Sequence, residues 1–125
     1  MAKRQSIYTK TFSHSNPTPS ATRVGPLLMS GIINGIVKGE APGSLEEQCA
    51  LMFARIRDVM ESAGGSLDQI VKVNLAFADV SQRTVANAGW VALFPDADNR
   101  PVRHSTQAVF DRGKLVQCDL VAWME

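Results

Sequence analysis

The stretch from Ser44 to Gly65 restricts the fold of this chain more than any other. Leu45, Cys49, Met52, Ile56, Val59 and Ala63 recur at steps of four and three, so on a helix they form one apolar stripe. Ser44 stands at the N-cap, and Glu47 three residues later completes a Ser-x-x-Glu capping box that satisfies two otherwise orphaned amides. Gly64-Gly65 offers a residue able to take positive φ where the helix stops. The spacing predicts an amphipathic helix over Leu45–Ala63 whose apolar side needs a cover, and a sheet supplies one.

Strand patterns lie on both sides of it. Val71, Val73, Leu75 and Phe77 alternate with Lys72, Asn74 and Ala76. Near the C-terminus Val116, Cys118, Leu120 and Ala122 share one face, with Gln117, Asp119 and Val121 on the other. Upstream, Gln5–Thr9 reads as an edge strand and Ser13–Thr22 as loop. The apolar run Val24–Val37, broken by Gly25, Gly31 and Gly35, reads as short strands with bulges or close backbone approaches. A second helix is expected over Gln82–Phe94, capped by Ser81 and stopped by Pro95. Arg103–Phe110 and Lys114–Trp123 read as a β-hairpin around Asp111-Arg112-Gly113. The sum is one α+β domain across residues 1–125, a mainly antiparallel sheet with two helices on one face. The opposite face, carrying Asn74, Gln117 and Asp119, then needs a partner, which makes a subunit interface with polar pockets an expectation.

Composition narrows the function classes. With 45% hydrophobic and 20% charged residues the chain reads as globular rather than disordered. Its 13 basic and 12 acidic residues leave a net charge of +1, without the basic footprint of a nucleic-acid-binding domain. No run approaches the roughly 20 apolar residues of a bilayer span. The basic opening Met1-Ala2-Lys3-Arg4 precedes no apolar run and so does not read as a secretory signal. Cys49 and Cys118 lie far apart and lack ligand-like spacing with His14 or His104, so two buried thiols in a cytoplasmic protein are expected, with a disulfide or a metal site as the lesser alternatives.

The segment Arg100-Pro101-Val102-Arg103-His104-Ser105-Thr106-Gln107, followed by Gly113 and the strand Leu115–Ala122, resembles the C-terminal signature of the Rid family (YjgF-like, reactive intermediate deaminases). Leu28-Met29-Ser30-Gly31 resembles the family's Ser-Gly strand, and Glu46-Glu47-Gln48 its first helix start. Ala63 to Lys72 resembles its helix-to-strand connection, and Asp79 to Asn87 matches its Asp…Val-x-Asn segment in length. Motifs in one order at near-constant spacing are more specific than any of them alone. The resemblance implies a chorismate-mutase-like homotrimer with ligand clefts between subunits. It also implies hydrolysis of amino-acid-derived imines and enamines to ammonia and a 2-keto acid, with no metal or organic cofactor.

Such a substrate carries a carboxylate beside a C=N bond, which calls for a cation with planar, paired donors; guanidinium meets that need. Arg103 matches the family's substrate arginine. His104, adjacent on an extended segment, points to the opposite face and is read as structural or peripheral. Asn87 matches a pocket asparagine, or is a solvated polar residue of a helix. Ser30 falls in the Ser-Gly strand, with packing as its simpler role. Hydrolysis also needs an aimed water and a proton shuttle. Allowing one residue fewer in the hairpin turn, Gln117 occupies the family's glutamate position; its amide can orient water but cannot take a proton as a carboxylate does. Asp119, two residues on and on the same face, is either a substitute acid/base or a structural acid. Ser105 replaces a common cysteine, and Pro17 stands about where the family has a tyrosine. The expected function is therefore a cofactor-free imine/enamine deaminase acting on a small carboxylate. The alternative is a non-catalytic binder or sensor of small carboxylates. A ribonuclease or translation inhibitor, known for parts of the family, is disfavoured by the balanced charge.

Overall fold

The structure is a computed structural model describing residues 3–125, so the first two residues of the basic opening lie outside it. The expected long helix, α1, spans Leu45–Ser62 and carries the capping box in full. The Glu47 amide donates to Oγ of Ser44, and the Ser44 amide donates to Oε1 of Glu47, both at 3.2 Å. At its other end Gly64 takes φ +76°. The amides of Gly64 and Gly65 donate back to the carbonyls of Glu61 and Met60. That pair of bonds is a Schellman motif, which stops the helix where the sequence places its glycines.

The strands are β1 (Gln5–Ile7), β2 (Ala21–Val24), β3 (Leu27–Ser30), β4 (Ile33–Asn34), β5 (Ile70–Phe77), β6 (Val102–Gln107) and β7 (Val116–Trp123). They form one sheet in the order β1-β2-β3-β7-β5-β6, with β4 continuing along β7 beyond β3. All pairings are antiparallel except β5–β6. Val73, Leu75 and Phe77 of β5 and Val116, Cys118, Leu120 and Ala122 of β7 are buried, together with Met52, Ile56 and Val59 of α1. Each Val, Leu, Ile, Phe or Met so buried contributes about 1.5–3 kcal/mol. The apolar stripe of α1 and the alternating faces of β5 and β7 are two halves of one core. Cys49 and Cys118 lie within it as free thiols.

Two local expectations are corrected. The C-terminal strands do not form a hairpin. β5 lies between them, parallel to β6 and antiparallel to β7. The connection crosses the end of β5, where the Ala108 amide donates to Phe77 and the Ala78 amide to Leu115. Arg112 and Gly113 do adopt positive φ, at 57° and 75°. A left-handed turn fixes a reversal of direction, however, and not which strand the chain returns beside. The long apolar β5 gains more by pairing on both edges. The second helix is likewise divided, into a 3-10 segment over Val80–Ala86 and α2 over Asn87–Leu93. Asp79, not Ser81, caps it, accepting from the Ser81 amide at 3.0 Å and the Ser81 hydroxyl at 2.6 Å. The β-branched Thr84 and Val85 weaken α-helical packing there.

Candidate carboxylate site

Arg103 is the second residue of β6, opposite Val73 of β5, and Ser105 stands opposite Leu75. Cross-strand partners point to the same face, so Arg103 and Ser105 lie on the helix-covered side, at the edge of the sheet. There the half-buried guanidinium is held by the 80–93 segment. Nη1 donates to Oδ1 of Asn87 at 2.9 Å and Nη2 to the Arg83 carbonyl at 2.8 Å. Its Cζ lies 5.5 Å from the ring centre of buried Trp90, a cation–π contact. Trp90 is itself set edge-on against Phe94, centroids 4.8 Å apart.

These contacts use two of the five guanidinium N–H donors. No carboxylate among the described residues lies within salt-bridge distance of Arg103. Burial lowers its pKa from the ordinary value; Cys49 opposes that fall and the Arg83 charge adds to it. An arginine stays charged in such a setting. The result is a positioned cation without a counter-ion, at the wall of an open cleft of about 390 Å³ lined by Arg83, Thr84, Asn87, Arg103 and Ser105.

The remaining candidates are elsewhere. Gln117 and Asp119 pair in register with Ala76 and Asn74 and occupy the face of the sheet away from the helices. Asp119 accepts from Nδ2 of Asn74 at 2.8 Å. His104, opposite Asn74 on β6, belongs to that same face, as alternation predicts. Within one chain, then, Arg103, Asn87 and Ser105 come together, while Gln117 and Asp119 lie across the sheet. Ser30 closes a gap in the ladder. Its Oγ accepts from the Leu120 amide at 2.9 Å, at the point where β7 passes from β3 to β4, and donates to Gly31 at 2.8 Å. Pro17 is exposed in the loop before β2.

Arg83 and Trp90 are site residues that the sequence reading missed. Trp90 stands three residues on from Asn87, the spacing of one helix face, and that signal was available; Arg83 lies in the 3-10 segment, where α-helical spacing does not apply. Among the described residues no helix is long and apolar enough to cross a membrane, and no cluster of His, Cys, Asp or Glu is grouped to hold a metal ion.

Comparison with known proteins agrees with this architecture. Residues 21–116 match the family described as Endoribonuclease L-PSP. The mitochondrial protein mmf2 of Schizosaccharomyces pombe is 28% identical over 91 residues, 72% of each chain. The mitochondrial protein mmf1 of the same yeast is 30% identical over 100 residues, covering 77% of this chain and 60% of that protein. The crystal structure of RidA from an Antarctic Psychrobacter superposes with a TM-score of 0.85 at 26% identity, covering 96% of this chain and 99% of the other. The chain therefore belongs to the Endoribonuclease L-PSP family, the Rid (YjgF-like) family that its C-terminal signature resembles.

Proposed function

We propose that the protein hydrolyses an imine or enamine derived from an amino acid, giving a 2-keto acid and ammonia, with the substrate carboxylate held by Arg103. The observation that carries this reading is the guanidinium itself. It is fixed on one side by Asn87, the Arg83 carbonyl and Trp90, and it has donors to spare with no acidic partner among the described residues. Fixing a cation before the ligand arrives removes an ordering cost from binding. Paired donors suit a planar carboxylate. An enamine first takes a proton at its β-carbon to become the imine; water then adds to the C=N carbon, its oxygen becomes the keto oxygen, and the nitrogen leaves as ammonia. No metal or organic cofactor enters this scheme.

Gln117 and Asp119 face away from Arg103 within one chain, so a single substrate meets both only where a second subunit presents its open face to the cleft. A homotrimer is the assembly we propose for this, and light scattering of the purified protein measures it. Release of ammonia or keto acid from freshly generated 2-aminoacrylate or 2-iminobutanoate tests the reaction. Acceleration is expected, with Arg103→Ala lowering kcat/KM by at least about tenfold, the scale of one charge-assisted contact. No acceleration with either compound would remove the general activity.

A second reading, a carboxylate-binding protein without hydrolysis, is favoured by one residue: Gln117 presents an amide where the family brings a carboxylate. Gln117→Glu separates the two. Newly gained hydrolysis points to a binder that lost its catalyst, and reduced native hydrolysis points to a working enzyme. Ribonuclease action, named in the family's description, has little support from a chain of net charge +1.

A further inference from the structure

The cleft at Arg103 has a second cation in its wall. Arg83 lines it together with Arg103, and no carboxylate does. Neither arginine has an acidic partner among the described residues, whose ion pairs all involve Asp111. The Arg83 side chain makes one weak contact, from Nη1 to the Val80 carbonyl of its own turn at 3.2 Å, and is otherwise exposed. Its main chain is more firmly engaged, because the Arg83 carbonyl accepts from Nη2 of Arg103 at 2.8 Å. The two guanidinium groups are close enough that the charge of Arg83 depresses the pKa of Arg103. Like charges held together without a counter-ion disfavour the empty cleft and favour a ligand that brings two negative charges. One carboxylate satisfies Arg103 and leaves Arg83 uncompensated.

We infer that the cleft selects dicarboxylates, the imine of an acidic amino acid in particular, with its α-carboxylate on Arg103 and its side-chain carboxylate on Arg83. Thr84 and Ser105 add hydroxyls to the lining of the same cleft. The inference builds on the proposed function by naming its substrate class, yet selectivity at the two arginines does not depend on hydrolysis.

The test therefore reads binding and turnover separately. Calorimetry of the native protein with 2-oxoglutarate and with 2-oxobutanoate gives a ratio of affinities, measured again for Arg83→Gln. This variant keeps the backbone carbonyl that orients Arg103 and removes an exposed charge together with its one weak contact to Val80. The native protein is expected to favour 2-oxoglutarate about tenfold, and Arg83→Gln to bring the ratio close to one. Equal affinities in the native protein, a preference that survives Arg83→Gln, or no binding of either acid overturns the inference. Ammonia release from the imines of glutamate and 2-aminobutanoate, generated in place by an amino-acid oxidase, is followed in parallel. A binding preference without any hydrolysis supports dicarboxylate selection and defeats only the deaminase reading. Hydrolysis with equal affinities does the reverse.

Discussion

Asn87 accepts a hydrogen bond from Nη1 of Arg103 at 2.9 Å, and it does so from the first turn of α2. A side chain at a helix start thereby fixes the direction of a cation on a strand. Because the arginine is half-buried and has no carboxylate within salt-bridge distance among the described residues, the amide orients the charge without cancelling it. Asn87→Ala should weaken binding of a small 2-keto acid about tenfold, the scale of one hydrogen bond to a charged group. Asn87→Asp should weaken it further, since the new carboxylate would occupy the guanidinium from within. Calorimetry with 2-oxobutanoate or 2-oxoglutarate measures both. If Asn87→Asp bound as tightly as the native protein, Asn87 would not be setting the charge of the site.

Gln48 is a buried polar residue of α1 that ties the helix start to the 111–115 turn. Its Nε2 donates to the carbonyls of Gly43 and Gly113, both at 3.0 Å, and its Oε1 accepts from the Leu115 amide at 2.9 Å. Gln48→Leu keeps the volume and orphans three backbone groups. At about 1 kcal/mol or more for each buried group left unpaired, a loss of roughly 3 kcal/mol is expected. In urea the midpoint should fall while the m-value holds. An unchanged midpoint would mean that those groups find other partners.

Gly89 lets α2 approach α1 closely. A Cβ there would come within 2.6 Å of Cδ2 and 2.9 Å of Cε2 of Phe53, whose buried ring has little room to retreat. Gly89→Ala should destabilise by roughly 1–3 kcal/mol despite alanine's better helix propensity. Shortening the opposing side chain with Phe53→Leu should recover part of that loss, and a double-mutant cycle measures the coupling. Strict additivity of the two changes would argue against the contact. The same approach places α2, and with it Asn87 and Trp90, against Arg103.

Much of this fold was legible from local patterns. The steps of four and three from Leu45 to Ala63, the Ser44–Glu47 box and the alternation in β5 and β7 each carry one physical requirement that a single element can meet. Strand order was not legible, because the Asp111–Gly113 turn records a reversal and not the neighbour beyond it. β5 enters between β6 and β7 through pairings 30 to 52 residues apart in sequence, as between Leu75 and Ser105 or Ile70 and Ala122. The site divides in the same way. Arg103 was legible through its motif and Asn87 through its distance from Asp79. That Gln117 and Asp119 face the other side follows only once β5 is known to separate the strands. Arg83 escaped because an exposed arginine in a 3-10 segment has no signal of its own until Arg103 is placed beside it.

The two core thiols predict how stability changes in alkali. Burial, with Glu46 adding and Arg103 opposing, pushes the Cys49 thiol from its ordinary 9.0 up to about 11. Cys118, fully buried in β7, is pushed up as well, by burial first and then by Asp119 and Cys49. In the unfolded chain both thiols ionise near 9.0, while in the folded protein they keep their protons. Above that pH the native state binds more protons than the unfolded state, so unfolding releases protons and becomes easier as pH rises. The stabilisation from neutral thiols is complete below pH 9, declines from there, and for Cys49 is exhausted near pH 11. The slope approaches about 1.4 kcal/mol per pH unit for each thiol. Urea midpoints measured from pH 8 to 11 should fall along this course, and a Cys49→Ala/Cys118→Ala variant, less stable at neutral pH, should show a flatter profile. If the variant were as steep as the native protein, the alkaline loss would belong to other groups, and the core thiols would be ionising no later in the folded chain than in the unfolded one.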